Sequence, residues 1–178
     1  MLFTRKGDDG TSGLFGTRDR LAKDSPLFEA LGTVDELNSL LGLCFATSHH
    51  AKTGTIQIAA IVRTIQEHLF IVQAELAGVD KTITPEHVMW LEQVSNDIEA
   101  IIGSPTTFLI AGGTELSGLL DVARAVSRRA ERRVISARDI QAVSNTTSAY
   151  LNRLSSVLYA LARYASWNED VHEKAPSY

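Results

Sequence analysis

Arginine crowds one stretch of this sequence more densely than a soluble helix face requires. Arg124, Arg128, Arg129, Arg132 and Arg133 fall within ten residues, with Glu131 among them and no lysine. On a helix turning by ~100° per residue, Arg124, Arg128, Glu131 and Arg132 share an arc of about a hundred degrees. Asp121 lies on that arc as well, opposite most of the apolar positions. Guanidiniums this close repel one another unless anions lie nearby, and their planar forks suit bidentate contact with phosphate or carboxylate. Each charge-assisted hydrogen bond is worth on the order of 1.5–3 kcal/mol, so a triphosphate could hold several of them at once. The competing reading is a solvated face whose helix pairs contribute about a few tenths of a kcal/mol each. Asn152, Arg153 and Arg163, beside the core positions of the next helical stretch, favour a site.

A second candidate opens the chain. Thr4-Arg5-Lys6-Gly7-Asp8-Asp9-Gly10-Thr11-Ser12-Gly13-Leu14-Phe15-Gly16 combines glycines, hydroxyls and two cations ahead of the first helical pattern. Glycines let backbone N–H groups turn toward an anion, and the hydroxyls and cations add donors, so the composition suits a phosphate cradle. It is not a P-loop, since no strand precedes it and no Gly-Lys-Ser/Thr closes it. A mobile terminus is the competing reading. His49-His50 has no partner at metal spacing, and Glu169-x-x-His172 matches only half of a di-iron signature; both read as surface residues. Cys44 alone permits no internal disulfide and reads as a small buried hydrophobe.

The elements that must position these residues are helical almost throughout. Leu27, Leu31, Val34, Leu37, Leu41 and Cys44 form one apolar stripe, and Ile58, Ile61, Val62, Ile65, Leu69, Val72 and Leu76 a second. Thr84-Pro85-Glu86 supplies a capping hydroxyl, a first-turn proline and an acid, starting a third helix that Gly103 and Pro105 stop. A fourth helix begins at about Thr114 and a fifth spans about Thr146 to Ser166, while Phe108 to Ile110 runs into Gly112-Gly113 between the third and fourth. No strand pair is expected. Five amphipathic helices with short connections mean an all-α, antiparallel five-helix bundle. The single domain divides into an N-terminal loop (1–26), the bundle (27–166) and a polar, loose tail (167–178).

Length and charge narrow the classes. With 178 residues and 44% hydrophobic side chains, the chain supports one domain with a real core. A net charge of −4 argues against a nucleic-acid binder. The first residues are too polar for a signal peptide and no apolar run nears the ~20 residues of a membrane span, so a cytoplasmic protein is expected.

Taken together, the motifs resemble the PduO-type ATP:cob(I)alamin adenosyltransferases. Thr4 to Gly10, Lys23-Asp24 and Glu29-Ala30-Leu31-Gly32-Thr33-Val34-Asp35-Glu36-Leu37-Asn38 are similar to that family's opening. Phe108-Leu109-Ile110-Ala111-Gly112-Gly113 resembles its Phe-x-x-Pro-Gly-Gly turn. Val122 to Arg132 and Tyr150-Leu151-Asn152-Arg153-Leu154-Ser155 resemble its two signature helices. The resemblance implies a ferritin-like five-helix bundle assembled as a homotrimer, with active sites between subunits. It implies that Thr4, Arg5, Lys6, Gly7, Ser12 and Lys23 hold the nucleotide, that Arg128, Arg129, Glu131, Arg132 and Asn152 complete the pocket, and that Mg²⁺ is carried by the triphosphate rather than by protein ligands. Asp35 would pair with Arg124 across the subunit boundary.

The implied reaction moves the 5′-deoxyadenosyl group of ATP onto Co(I) of cobalamin and expels triphosphate. Phe108 would stand below the corrin and help displace its lower axial ligand. A reductase and an adenosylcobalamin-dependent enzyme are the implied protein partners. Three positions depart from the pattern: Asp121 stands where histidine is frequent, Ala111 replaces the usual proline, and the Gly16–Lys23 segment is about two residues longer. The other function class open at this point is a non-catalytic carrier of cobalamin or ATP, for which the full arginine set with Lys6 and Asn152 has little use.

Overall fold

The structure is a computed structural model that describes residues 3, 5–14 and 19–177. Five helices carry the fold: α1 (Pro26–Ser48), α2 (Ile58–Leu76), α3 (Pro85–Ile102), α4 (Glu115–Ser136) and α5 (Asn145–Asn168). Their starts are encoded locally. Ser25 caps α1 by accepting from the Phe28 N–H, with Pro26 in its first turn. Thr114 and Ser117 cap α4 reciprocally at 2.8 and 3.1 Å. At α3 the Thr84 N–H donates to the Nδ1 of His87, so a histidine occupies the place a Glu usually fills.

Cross-helix pairs fix the directions. Gln66 Nε2 donates to the Asn38 carbonyl and Arg63 lies over the Phe45 ring, so α1 and α2 are antiparallel. Glu29 and Glu36 of α1 meet Arg133 and Arg129 of α4 in reverse order, and Asp121 and Glu131 of α4 meet Arg163 and Asn152 of α5 in reverse order. Helices α1, α3 and α5 therefore run one way, with α2 and α4 opposed. The apolar stripes meet in one core, where Leu37, Leu41, Val62, Leu69, Leu120 and Leu158 are each fully enclosed.

Two features differ from the sequence expectation. A short antiparallel hairpin, β1 (Thr11–Gly13) with β2 (Arg20–Ala22), lies ahead of α1. Its three-residue strands are too short to show an alternating pattern, and Arg20 supplies much of their cohesion. Its guanidinium donates to Thr11 Oγ1 at 2.7 Å, to the Thr11 carbonyl at 2.9 Å and to the Lys6 carbonyl. The tail is not loose either. The Val171 N–H returns to the Ser166 carbonyl at 2.9 Å, and the Ile110 N–H donates to the Lys174 carbonyl at 2.8 Å.

One polar contact inside the bundle sets a pH dependence. His68 of α2 meets the hydroxyl of fully buried Tyr150 on α5 at 3.1 Å, and its ring stands edge-on to His87 and Trp90 of α3. Burial, with repulsion from His87 second, pushes His68 down to about 4. The unfolded chain takes up this proton near about pH 6.5, while the folded chain resists it down to about 4, so stability is lost as pH falls through that window. The melting temperature should thus decline from about pH 6.5 towards pH 4, and His68→Gln should shrink the decline. Parallel curves for the two proteins would show that carboxylates alone set the acid limb.

Candidate active site

Helices α3, α4 and α5 leave a groove at the end of the bundle where the 103–114 connection crosses. Two adjoining cavities of about 350 and 590 Å³ occupy it, sharing Pro105, Arg124, Tyr159 and Arg163 as lining. Arg128 and Ser155 line the smaller one, and Phe108 with Asp121 the larger. Both volumes fall within the size range of small-molecule sites.

The groove is built on buried charge. Arg163 of α5 is only 4% exposed, and its Nη2 bonds the Oδ2 of Asp121 on α4. The same nitrogen lies 3.1 Å from Glu173 Oε1 in the tail, and its guanidinium sits over the Tyr159 ring at 4.9 Å. Asp121 extends the chain of charges to Arg124 Nε at 3.5 Å. Glu173 also accepts from Ser166 Oγ at 3.1 Å. Burial raises the Glu173 carboxyl above its usual range, and Arg163 works against that rise. Asp121 is accordingly not exposed with the arginine arc; it is a buried counter-ion, because Arg163 from the neighbouring helix reaches it.

The arginine-rich helix divides its charges between two uses. Arg129 pairs with Glu36, Arg133 with Glu29 at 3.7 Å, and Arg153 of α5 with Glu92 at 3.0 Å. Among the described residues, Arg128 and Arg132 make no ion pair; both are exposed. The arc spans two neighbouring hollows. Arg128 faces the groove with Arg124, and Arg129 and Arg132 line an adjoining hollow of about 410 Å³ that shares Ala111, Asp121 and Arg124 with the groove. Glu131 accepts from Asn152 Nδ2 at 3.1 Å, tying α4 to α5 beside Arg128.

The N-terminal candidates form their own unit. Thr4 lies outside the described residues. Lys23 Nζ donates to the Gly7 carbonyl at 2.7 Å, and a Cβ at Gly7 would stand 2.9 Å from that nitrogen, so glycine permits the approach. Arg5 adopts a left-handed backbone (φ 58°) and is exposed, as is Lys6, while Ser12 is half-buried in β1. None of these residues lines the two groove cavities. Asp35 is exposed on α1, and within the chain Arg124 pairs with Asp121 instead. Phe108 is 82% exposed at the groove mouth, and Ala111 lines the larger cavity. Among the described residues no group of three or more His, Cys, Asp or Glu is placed to hold a metal ion.

Sequence reasoning did not assign Tyr159, Ser155, Glu173 or Arg20 to these arrangements. Arg163 carried a legible signal: it stands inside Leu161-Ala162-Arg163-Tyr164-Ala165, a run too apolar for a charge without a buried partner. Glu173 and Arg20 carried none, since each acts through a loop whose path the sequence does not reveal.

The helical bundle thus presents a groove lined by Arg124, Arg128 and Arg163 beside the exposed Phe108, fixed positive charge next to apolar surface. The family model for cobalamin adenosyltransferase matches residues 2–165, and the chain belongs to that family. It is 39% identical to a corrinoid adenosyltransferase of Bacillus subtilis over 91% of this chain and 84% of that protein. With the human corrinoid adenosyltransferase MMAB the identity is 33%, over 97% of this chain and 72% of the other. A variant PduO-type ATP:corrinoid adenosyltransferase from Lactobacillus reuteri, solved with cobalamin and ATP, superposes with a TM-score of 0.89 at 28% identity, covering 99% of this chain and 96% of that one. A second variant of that enzyme, complexed with ATP, gives a TM-score of 0.88 at 28% identity over 99% of this chain and the whole of the other.

The buried charges make a stability prediction. Asp121→Ala leaves Arg163 with Glu173 as its sole carboxylate and should cost about 3 kcal/mol in urea denaturation. A change near zero would mean that Glu173 alone satisfies the guanidinium.

Proposed function

We propose that the α3–α4–α5 groove is where this corrinoid adenosyltransferase transfers the 5′-deoxyadenosyl group of ATP to Co(I) of cobalamin. The observation that carries the assignment is Arg128, an unpaired guanidinium lining the groove beside Arg124 and Tyr159. In the reaction the cobalt electron pair forms the Co–C bond at the 5′ carbon as the C–O bond breaks, and triphosphate leaves with those electrons. No proton changes hands, so the protein's work is alignment and charge stabilisation. Arg128 and Arg132 meet the departing phosphates, while the Glu131–Asn152 pair holds the helices that carry them at a fixed spacing. Mg²⁺ would arrive with the triphosphate and offset part of its charge, with no protein ligand assigned to it.

Phe108 stands beneath the corrin. Leaving this side chain in water forgoes about 2 kcal/mol of burial, which the apolar face of a corrin would return. From that position it displaces the lower axial ligand and keeps water from taking its place. The resulting four-coordinate Co(II) is easier to reduce.

The nucleotide loop belongs to the same proposal. Thr4, Arg5, Lys6, Gly7, Ser12 and Lys23 grip ATP from a neighbouring subunit of a homotrimer, and Asp35 of one subunit meets Arg124 of the next. The position of the loop supports this: its described residues line neither groove cavity of their own chain. Arg129 steadies the boundary through Glu36. A cytoplasmic setting, a reductase that delivers the electron and an adenosylcobalamin-dependent enzyme that takes the product complete the reading.

The test is anaerobic: purified protein, Mg²⁺-ATP and chemically reduced cob(I)alamin, with adenosylcobalamin followed by its light-sensitive spectrum and triphosphate assayed alongside. Multiple turnovers with equal yields of both products are expected; binding of both substrates without product would favour a carrier. Arg128→Ala should lower kcat on the order of a hundredfold with an unchanged melting temperature. Near-normal kinetics in that variant would move the phosphate site elsewhere. Phe108→Ala should impair turnover that starts from cob(II)alamin more than turnover from pre-reduced cob(I)alamin, and equal losses in the two assays would remove it from beneath the ring.

A further inference from the structure

We infer that Glu173 is a positioning residue for Phe108, acting through a strap made by the C-terminal segment Val171–Lys174. The inference rests on the placement of Phe108 proposed above and extends it to a residue outside the groove cavities that Phe108 and Arg128 line.

The connection is continuous and short. Glu173 is fixed from one side by Arg163 Nη2 at 3.1 Å and from another by Ser166 Oγ at 3.1 Å. Its carboxylate is nearly as buried as the guanidinium, with side-chain exposures of 6% and 4%. The next residue, Lys174, gives its carbonyl to the Ile110 N–H at 2.8 Å, two residues beyond Phe108. The 103–114 connection is otherwise sparsely tied. Among the described residues its backbone-to-backbone bonds are those at Gly103 and Ile110, apart from the carbonyl of Thr114 that opens α4. Phe108 itself is 82% exposed and has no packing that would fix its height above the groove.

Gly113 gives an independent sign that the strap seats closely. A Cβ there would stand 2.5 Å from Ser166 Oγ and 3.1 Å from Glu173 Cγ, so a side chain would displace the hydroxyl that holds Glu173 and crowd the strap beside it. Gly113 has no left-handed φ to explain it, in contrast to Gly112 at φ 95°, so close approach is the reason for glycine here. Charge balance points the same way. Arg163 and Arg124 carry two positive charges into a space where Asp121 supplies one negative charge, and Glu173 supplies the second. Removing Glu173 leaves the tail without its buried anchor and the Phe108 connection without its mid-point bond.

The test compares Glu173→Ala, Glu173→Gln and Gly113→Ala in the full-length protein with ATP bound. The readouts are the four-coordinate cob(II)alamin signal by electron paramagnetic resonance, the KM for ATP, and turnover with pre-reduced cob(I)alamin. Glu173→Ala and Gly113→Ala should each lower the four-coordinate fraction on the order of tenfold, with the ATP KM within about twofold of wild type. Glu173→Gln keeps an acceptor for Arg163 and should recover most of the signal, and Gly113→Ala carries the test should Glu173→Ala fail to fold. A wild-type four-coordinate fraction in a folded Glu173→Ala or in Gly113→Ala, alongside a reduced fraction in Phe108→Ala, would overturn the strap and leave the placement of Phe108 standing. Were Phe108→Ala also to match wild type, the placement would fail first. A rise in ATP KM equal to the loss of signal would assign Glu173 to general stability and overturn its positioning role.

Discussion

A guanidinium sealed from water inside a helical bundle must find its counter-charges within the protein. Arg163 does so by drawing three separate parts of the chain to one point: Asp121 from α4, Glu173 from the tail and Tyr159 from its own helix. Desolvating an isolated charge of this kind costs several kcal/mol, so each partner is held to its place by the cost of leaving. The groove floor is the visible result. Arg124 takes its orientation from Asp121, and the connection bearing Phe108 takes its support from the strap that Glu173 anchors. Hydrophobic burial explains why the five helices associate, but it is non-directional. The paired charges fix the relation of α4, α5 and the tail where the site needs it.

The same logic separates arginines that build from arginines that bind. Five of the guanidiniums near the site, those of Arg124, Arg129, Arg133, Arg153 and Arg163, have carboxylates within their own chain. Arg128 and Arg132 do not, among the described residues. An unpaired cation beside other cations raises the local positive potential, and a triphosphate relieves it. Lysine would supply the charge without the planar fork, and histidine would supply it only at low pH. Arginine stays charged throughout and therefore suits a reaction in which negative charge leaves and no proton moves.

The fold was legible in the sequence because helices α1 to α5 each carry an apolar stripe, and Thr84-Pro85-Glu86 announces the start of α3. The hairpin was not, since three-residue strands held by Arg20 leave no periodic trace. The site was legible in its residue types and less so in its geometry. Helical projection placed Asp121 with the exposed arginines, yet projection knows nothing of the helix alongside, and Arg163 turns that position inward. It treated the arginine arc as one surface, and α4 spreads that surface over the groove, with Arg128, and an adjoining hollow, with Arg132, that shares Arg124 and Asp121. The tail read as loose because polar composition is what an exposed terminus shows. A single buried carboxylate within it reverses that outcome.

The division between rigid and appended parts follows from the chemistry. Helices hold Arg124, Arg128, Glu131 and Asn152 in a fixed frame, which is where stabilisation of a leaving triphosphate, as proposed, is most effective. In the same proposal Phe108 faces a different demand, because a bulky corrin would have to enter before the phenylalanine could replace its lower ligand. A side chain locked within the helical core would bar that entry, and one on an untethered loop would fail to compete for the axial position. A connection open along most of its length, and tied near its middle to a strap with a buried ionic anchor, meets both demands. The tether lets the loop yield locally while the Arg163–Glu173 contact resists its wholesale departure.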